Sequence, residues 1–195
     1  IIEHSIRFNL EADSLNCSIL GPDALPGTEE FELYVKELVR EMTVKAGQKC
    51  TVIRRAIVPA QLEEAVGAAV RTRLEKITIG DPGVEGVRMG PLISSAHAAD
   101  VQAQLERLRA DTEVVAGGLA VQPLGDRCRR DAFMSPVLLR ARNPLSEAIH
   151  SIEAFGPVST LIGYHSIDEA IALARRGEGS LVGSLFTSSD TTART

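Results

Sequence analysis

The chain has 195 residues, 44% hydrophobic and 24% charged, with a net charge of −5. That length can bury a sizeable core, and the composition is that of one soluble globular domain. The acidic balance makes no electrostatic case for nucleic acid or an anionic membrane, and no apolar run approaches a membrane span. Three scattered cysteines without Cys-x-x-Cys spacing predict neither a disulfide framework nor a zinc site, and no metal is expected. They fit a reducing cytoplasm. The start, Ile1-Ile2-Glu3-His4, is neither a signal nor a transit peptide and lacks Met, so the chain reads as a piece of a longer protein.

Residues 6–20 alternate and then turn apolar, which makes Cys17–Leu20 a strand closed by Gly21-Pro22. Phe31, Val35, Leu38, Val39 and Met42 recur at helical spacing and predict a helix over 29–45. After Gly47 and Cys50, residues 52–58 read as the next strand. Arg54 and Arg55 interrupt it. Either at least one points into a cleft or toward an acidic partner, or both are solvent charges on a strand edge.

Pro59 precedes a second helix, 60–76, and a turn-rich loop then runs to Pro91. That loop is no phosphate cradle, since it has neither a Gly-x-Gly-x-x-Gly after a strand nor a Walker lysine. A third helix, 94–110, is capped by Ser94 or Ser95, and a short strand at 113–115 ends at Gly117-Gly118. The loop 121–132 is polar, with Cys128 expected to be exposed. Strands follow at 137–139 and 160–164. Ser166 and Glu169 form a capping box that opens a helix to about Arg176, before a last strand at 181–187. Strands alternating with helices predict an α/β domain with a layered, largely parallel sheet flanked by helices.

The stretch Ala46-Gly47-Gln48-Lys49-Cys50-Thr51 stands at a helix-to-strand junction. A glycine that permits a tight turn and the charges of Lys45 and Lys49 suit Cys50 to serve as a thiolate nucleophile. The alternative is a small buried hydrophobe. A cysteine hydrolase would need a histidine paired with Cys50. His4, His97, His150 and His165 are the candidates, none in a recognisable hydrolase context. Glu11, ahead of the first strand, is by itself an ordinary polar group.

Together these stretches resemble the catalytic domain of the aldehyde dehydrogenase superfamily. The landmarks come in that family's order: Glu11, Gly47-Gln48-Lys49-Cys50, Met89-Gly90-Pro91-Leu92-Ile93, and Glu153-Ala154-Phe155-Gly156-Pro157-Val158. Glu11-Ala12-Asp13-Ser14-Leu15-Asn16 and residues 41–55 are more similar to the aldehyde dehydrogenase part of bacterial phenylacetate-degradation proteins. The resemblance implies that residues 1–195 are a catalytic-domain fragment without its cofactor domain, inactive alone. It implies Cys50 as nucleophile, Glu11 as general base, and Glu153 and Phe155 as contacts of NADP or NAD. The implied partner is a small aldehyde, possibly a coenzyme A thioester, in a homo-oligomeric, cytoplasmic parent. A relative that kept the fold without catalysis is the remaining alternative.

Overall fold

The computed structural model describes residues 7, 9 and 12–195, so Glu11 lies outside the described residues. In chain order the elements are β1 (Cys17–Leu20), α1 (Glu29–Thr43), β2 (Arg55–Pro59), α2 (Glu63–Leu74), α3 (Ser95–Arg109), β3 (Thr112–Gly117), β4 (Val137–Ala141), α4 (Glu147–Ser151), β5 (Val158–Tyr164), α5 (Ile167–Arg175), β6 (Gly183–Phe186) and α6 (Asp190–Arg194). The strands form one sheet in the order β3-β4-β5-β2-β1-β6, in which only β3 runs antiparallel to its neighbour. The expected architecture is therefore present.

Strand alternation divides the core between the two faces. Ala56, Val58, Leu138 and Leu161 face α1 and α2, against Val35, Leu38, Met42, Val66 and Val70. Ile57, Leu139 and Ile162 face the other way, toward Val101, Leu105, Leu108, Ile149, Ala170 and Leu173 of α3, α4 and α5. With both faces covered, the central strand β2 is buried at every position, as its run of apolar residues requires. No helix among the described residues is long and apolar enough to cross a membrane.

Several boundaries differ from the sequence reading. α1 begins where Thr28 Oγ1 accepts the Phe31 N–H at 3.3 Å, but it stops at Thr43 because Val44 turns extended. The strand expected at 52–58 opens only at Arg55, because the Arg54 and Arg55 N–H groups both bond to the Asn16 carbonyl before ladder pairing starts. The second helix opens with a 3-10 turn, Ala60–Leu62, and ends at Leu74. Cys128, expected to be exposed, is half-buried. The short helices α4 and α6 had no periodic signal, being too short to show one.

Candidate active site

The cysteine turn is built from a run of unusual backbone. Lys45, Ala46 and Gly47 hold φ values of 53°, 51° and 69° in succession. A left-handed conformation costs a residue with a Cβ about 1–2 kcal/mol, so the two non-glycine positions must be held from outside. Ala46 is anchored in the core. The Lys45 carbonyl accepts both the Gln48 N–H at 3.1 Å and the Gln48 side-chain amide at 2.8 Å. Gln48 Oε1 in turn accepts the Ile93 N–H at 2.8 Å, so two of the sequence landmarks meet here. Gly47 is required for space as well as conformation, since a Cβ there would lie 2.2 Å from the Gly156 carbonyl oxygen.

Asn16, which nothing in the sequence singled out, fixes the rest of the turn. Its side-chain amide donates to the carbonyls of Cys50 at 2.8 Å and Val52 at 3.1 Å. Its Oδ1 accepts the Leu181 and Val182 N–H groups at 2.9 and 3.0 Å and the Ser14 hydroxyl at 2.8 Å. Only its place just before β1 could have pointed to it. Cys50 itself is exposed. Its N–H makes no hydrogen bond among the described residues.

Cys50, Glu153 and Phe155 line one cleft of about 270 Å³, together with Asp13, Ser14 and Leu181. Each lining segment leads into the start of a strand: Ser14 into β1, Cys50 into β2, Glu153 and Phe155 into β5, Leu181 into β6. The cleft therefore lies at the amino ends of the parallel strands. The usual ligand position in an open α/β sheet is the carboxyl ends. Cys50 stands on a turn ahead of β2, separated from the strand by residues 51–54 rather than immediately preceding it.

Glu153 is nearly enclosed, its side chain 6% exposed. Its Oε1 accepts Arg54 Nε at 3.2 Å and its Oε2 accepts the Ser14 N–H at 3.0 Å. Each oxygen keeps a lone pair, so the carboxylate can accept hydroxyl donors, as a ribose would offer. Phe155 is held by the Arg54 guanidinium 5.4 Å from its ring centroid, and by His97, whose Nε2 bonds to the Phe155 carbonyl at 2.7 Å. These residues fit one flank of a nicotinamide nucleotide.

Both arginines are buried, which overturns the strand-edge reading. Burial pushes the Arg54 guanidinium below its ordinary value, opposed by the charges of Glu153 and Glu41. Arg55 meets no carboxylate among the described residues. It donates to the carbonyls of Leu15 (2.8 Å), Leu173 (2.7 Å) and Ala174 (3.0 Å), and to His150 Nδ1 at 3.1 Å. His150 Nε2 donates to the Pro144 carbonyl at 2.8 Å, so this ring is a neutral structural group. His97 is tied to Phe155, and among the described residues no hydrogen bond joins either histidine to Cys50. The positive potential expected beside Cys50 is reduced, because Lys49 Nζ pairs with Glu41 at 2.6 Å.

The aldehyde dehydrogenase family model matches residues 3–195. The 3,4-dehydroadipyl-CoA semialdehyde dehydrogenase of Aromatoleum evansii is 48% identical over 188 residues, covering 95% of this chain and 36% of that protein. Succinic semialdehyde dehydrogenase from Streptococcus pyogenes, in complex with NADP+, aligns at a TM-score of 0.80 and 26% identity, over 94% of this chain and 38% of that one. Betaine aldehyde dehydrogenase from Staphylococcus aureus, in complex with NAD+, gives 0.79 and 26%, over 94% and 35%. The chain spans little more than a third of the length of these relatives.

Proposed function

The chain belongs to the aldehyde dehydrogenase family, and on that premise we propose that it supplies the catalytic residues of an NADP- or NAD-dependent dehydrogenase. The substrate we propose is a coenzyme A-linked semialdehyde of phenylacetate catabolism, oxidised to the free acid. The observation that carries this reading is the convergence of Cys50, Glu153 and Phe155 on one cleft from segments about a hundred residues apart. The 48% identity to a coenzyme A-semialdehyde dehydrogenase supports the substrate class.

In this reading Cys50 Sγ, as the thiolate, attacks the aldehyde carbon, and the developing oxyanion takes the Cys50 N–H as one donor. Glu153 accepts the cofactor's ribose hydroxyls, and Phe155 packs beside the nicotinamide. The bound nucleotide supplies a hydride acceptor, which leaves the acyl group on Cys50 as a thioester. Glu11 then takes a proton from the water that hydrolyses it, releasing acid and thiol. The whole protein is proposed to be a cytoplasmic homo-oligomer.

The test uses the whole protein. Reduction of NADP or NAD with a coenzyme A semialdehyde should vanish in Cys50→Ala. In Glu11→Gln a first-turnover burst of reduced cofactor should survive while steady turnover falls. Loss of burst and turnover together in Glu11→Gln would remove Glu11 as the base. Unchanged oxidation in Cys50→Ala would sink the reading altogether.

A further inference from the structure

Arg54 has a part that the proposed chemistry leaves unassigned. Its guanidinium is spent at every nitrogen: Nε on Glu153 Oε1 at 3.2 Å, Nη1 on the Gly156 carbonyl at 2.6 Å, Nη2 on the Gly47 carbonyl at 2.8 Å. It also lies against the Phe155 ring. Gly47 belongs to the cysteine turn, while Glu153, Phe155 and Gly156 belong to the segment that enters β5. One planar group thus spans the cysteine turn and the segment proposed to bind the ribose, with a side chain only 4% exposed.

A buried ion pair is poor evidence for stability, because desolvation offsets most of the attraction and an apolar pair often serves as well. What a guanidinium adds over an apolar side chain or a lysine is a fixed fork of donors. Here that fork sets the distance between two loops and aims one carboxylate. We infer that Arg54 is a positioning residue for cofactor use, holding Glu153 and Phe155 in register with the Cys50 turn. This rests on the reading of Glu153 as a ribose contact.

The geometry distinguishes the role from general support of the fold. An ammonium at position 54 keeps a cation beside Glu153, yet as a compact point charge it cannot satisfy both carbonyls and the carboxylate in one plane. Arg54→Lys in the whole protein should therefore fold, with a melting temperature near that of the parent. Its KM for the cofactor should rise about tenfold, and its kcat should fall by a similar factor, while KM for the aldehyde stays within about twofold.

Glu153→Gln alone should raise the cofactor KM. Combining it with Arg54→Met should raise it by less than the product of the two single effects, because the arginine acts on the nucleotide partly through that carboxylate. Parent-like kinetics in Arg54→Lys, or its failure to fold, would overturn the inference. So would multiplicative effects in the double variant. A normal cofactor KM in Glu153→Gln would defeat the ribose reading and this inference with it. A raised KM there beside unchanged kinetics in Arg54→Lys would defeat the inference alone.

Discussion

Gly47→Ala tests how tightly the cysteine turn is fitted. The added methyl meets three backbone atoms: the Gly156 oxygen at 2.2 Å, its carbonyl carbon at 2.5 Å and the Pro157 Cα at 2.9 Å. None belongs to a side chain that could rotate away. The Gly156 oxygen is itself held by Arg54 Nη1 at 2.6 Å and the Val158 N–H at 2.8 Å, so it cannot retreat without breaking those bonds. The φ of 69° adds about 1–2 kcal/mol for a left-handed alanine, and forced overpacking about 1–3 kcal/mol. Together these give about 2–5 kcal/mol, or roughly 4–20 °C in Tm at about 2–4 °C per kcal/mol for this size. Gly27→Ala is the matched control: its φ is 94°, and an added Cβ meets nothing within 4 Å. It should show only the conformational share, about 1–2 kcal/mol. Thermal unfolding of the two variants gives the comparison, with the rate of Cys50 alkylation by iodoacetamide as a local probe. Equal losses of Tm, or a Cys50 alkylation rate unchanged in Gly47→Ala, would refute the packing argument.

Asn16→Ala should cost about 1–3 kcal/mol, read by urea unfolding, because it strands the buried Val52 carbonyl and removes the bonds to the part-buried Cys50 carbonyl and the Leu181 and Val182 amides. Cys50 alkylation should accelerate in the same variant as the turn loosens. Stability should also fall as pH drops below about 6.5, because burial, followed by the nearby Arg55 and Arg176 charges, pushes His150 down, against the pull of the Pro144 hydrogen bond. The unfolded chain then binds a proton the native one refuses, so this contribution is present above pH 6.5 and lost toward the lower native value. His150→Gln should flatten that slope in urea midpoints between pH 7.5 and 5; an unchanged slope would remove His150 as its source.

The layered sheet was legible because its signals are local. The apolar period of α1, the β-branched run of β2 and the caps at Ser94 and Ser166 each act within a few residues. The cleft was legible only in part. Cys50 and Glu153 stood out by type and by the order of landmarks, whereas Asn16 works through bonds to residues 34 to 166 positions away. No local pattern encodes such pairings. The end of α1 failed for a related reason. Its apolar spacing ends at Met42 with no stop residue beside it, and the extended Val44 that ends the helix leads into a turn packed against the distant Gly156.

The position of the cleft also explains why two adjacent arginines are buried beside it. In a parallel sheet with crossover helices, helix C-termini gather at the amino ends of the strands, and their free carbonyls bring negative potential. α1 ends directly ahead of the cysteine turn, and α5 ends at the Leu173 and Ala174 carbonyls that Arg55 holds. Lys49 is already spent on Glu41. Arg54 and Arg55 answer that potential from inside: one caps the helix end, the other takes the Gly47 and Gly156 carbonyls along with Glu153. Of the two readings the sequence left open for Arg54 and Arg55, the buried one holds: both donate to backbone carbonyls gathered at this end of the sheet, and Arg54 also meets Glu153.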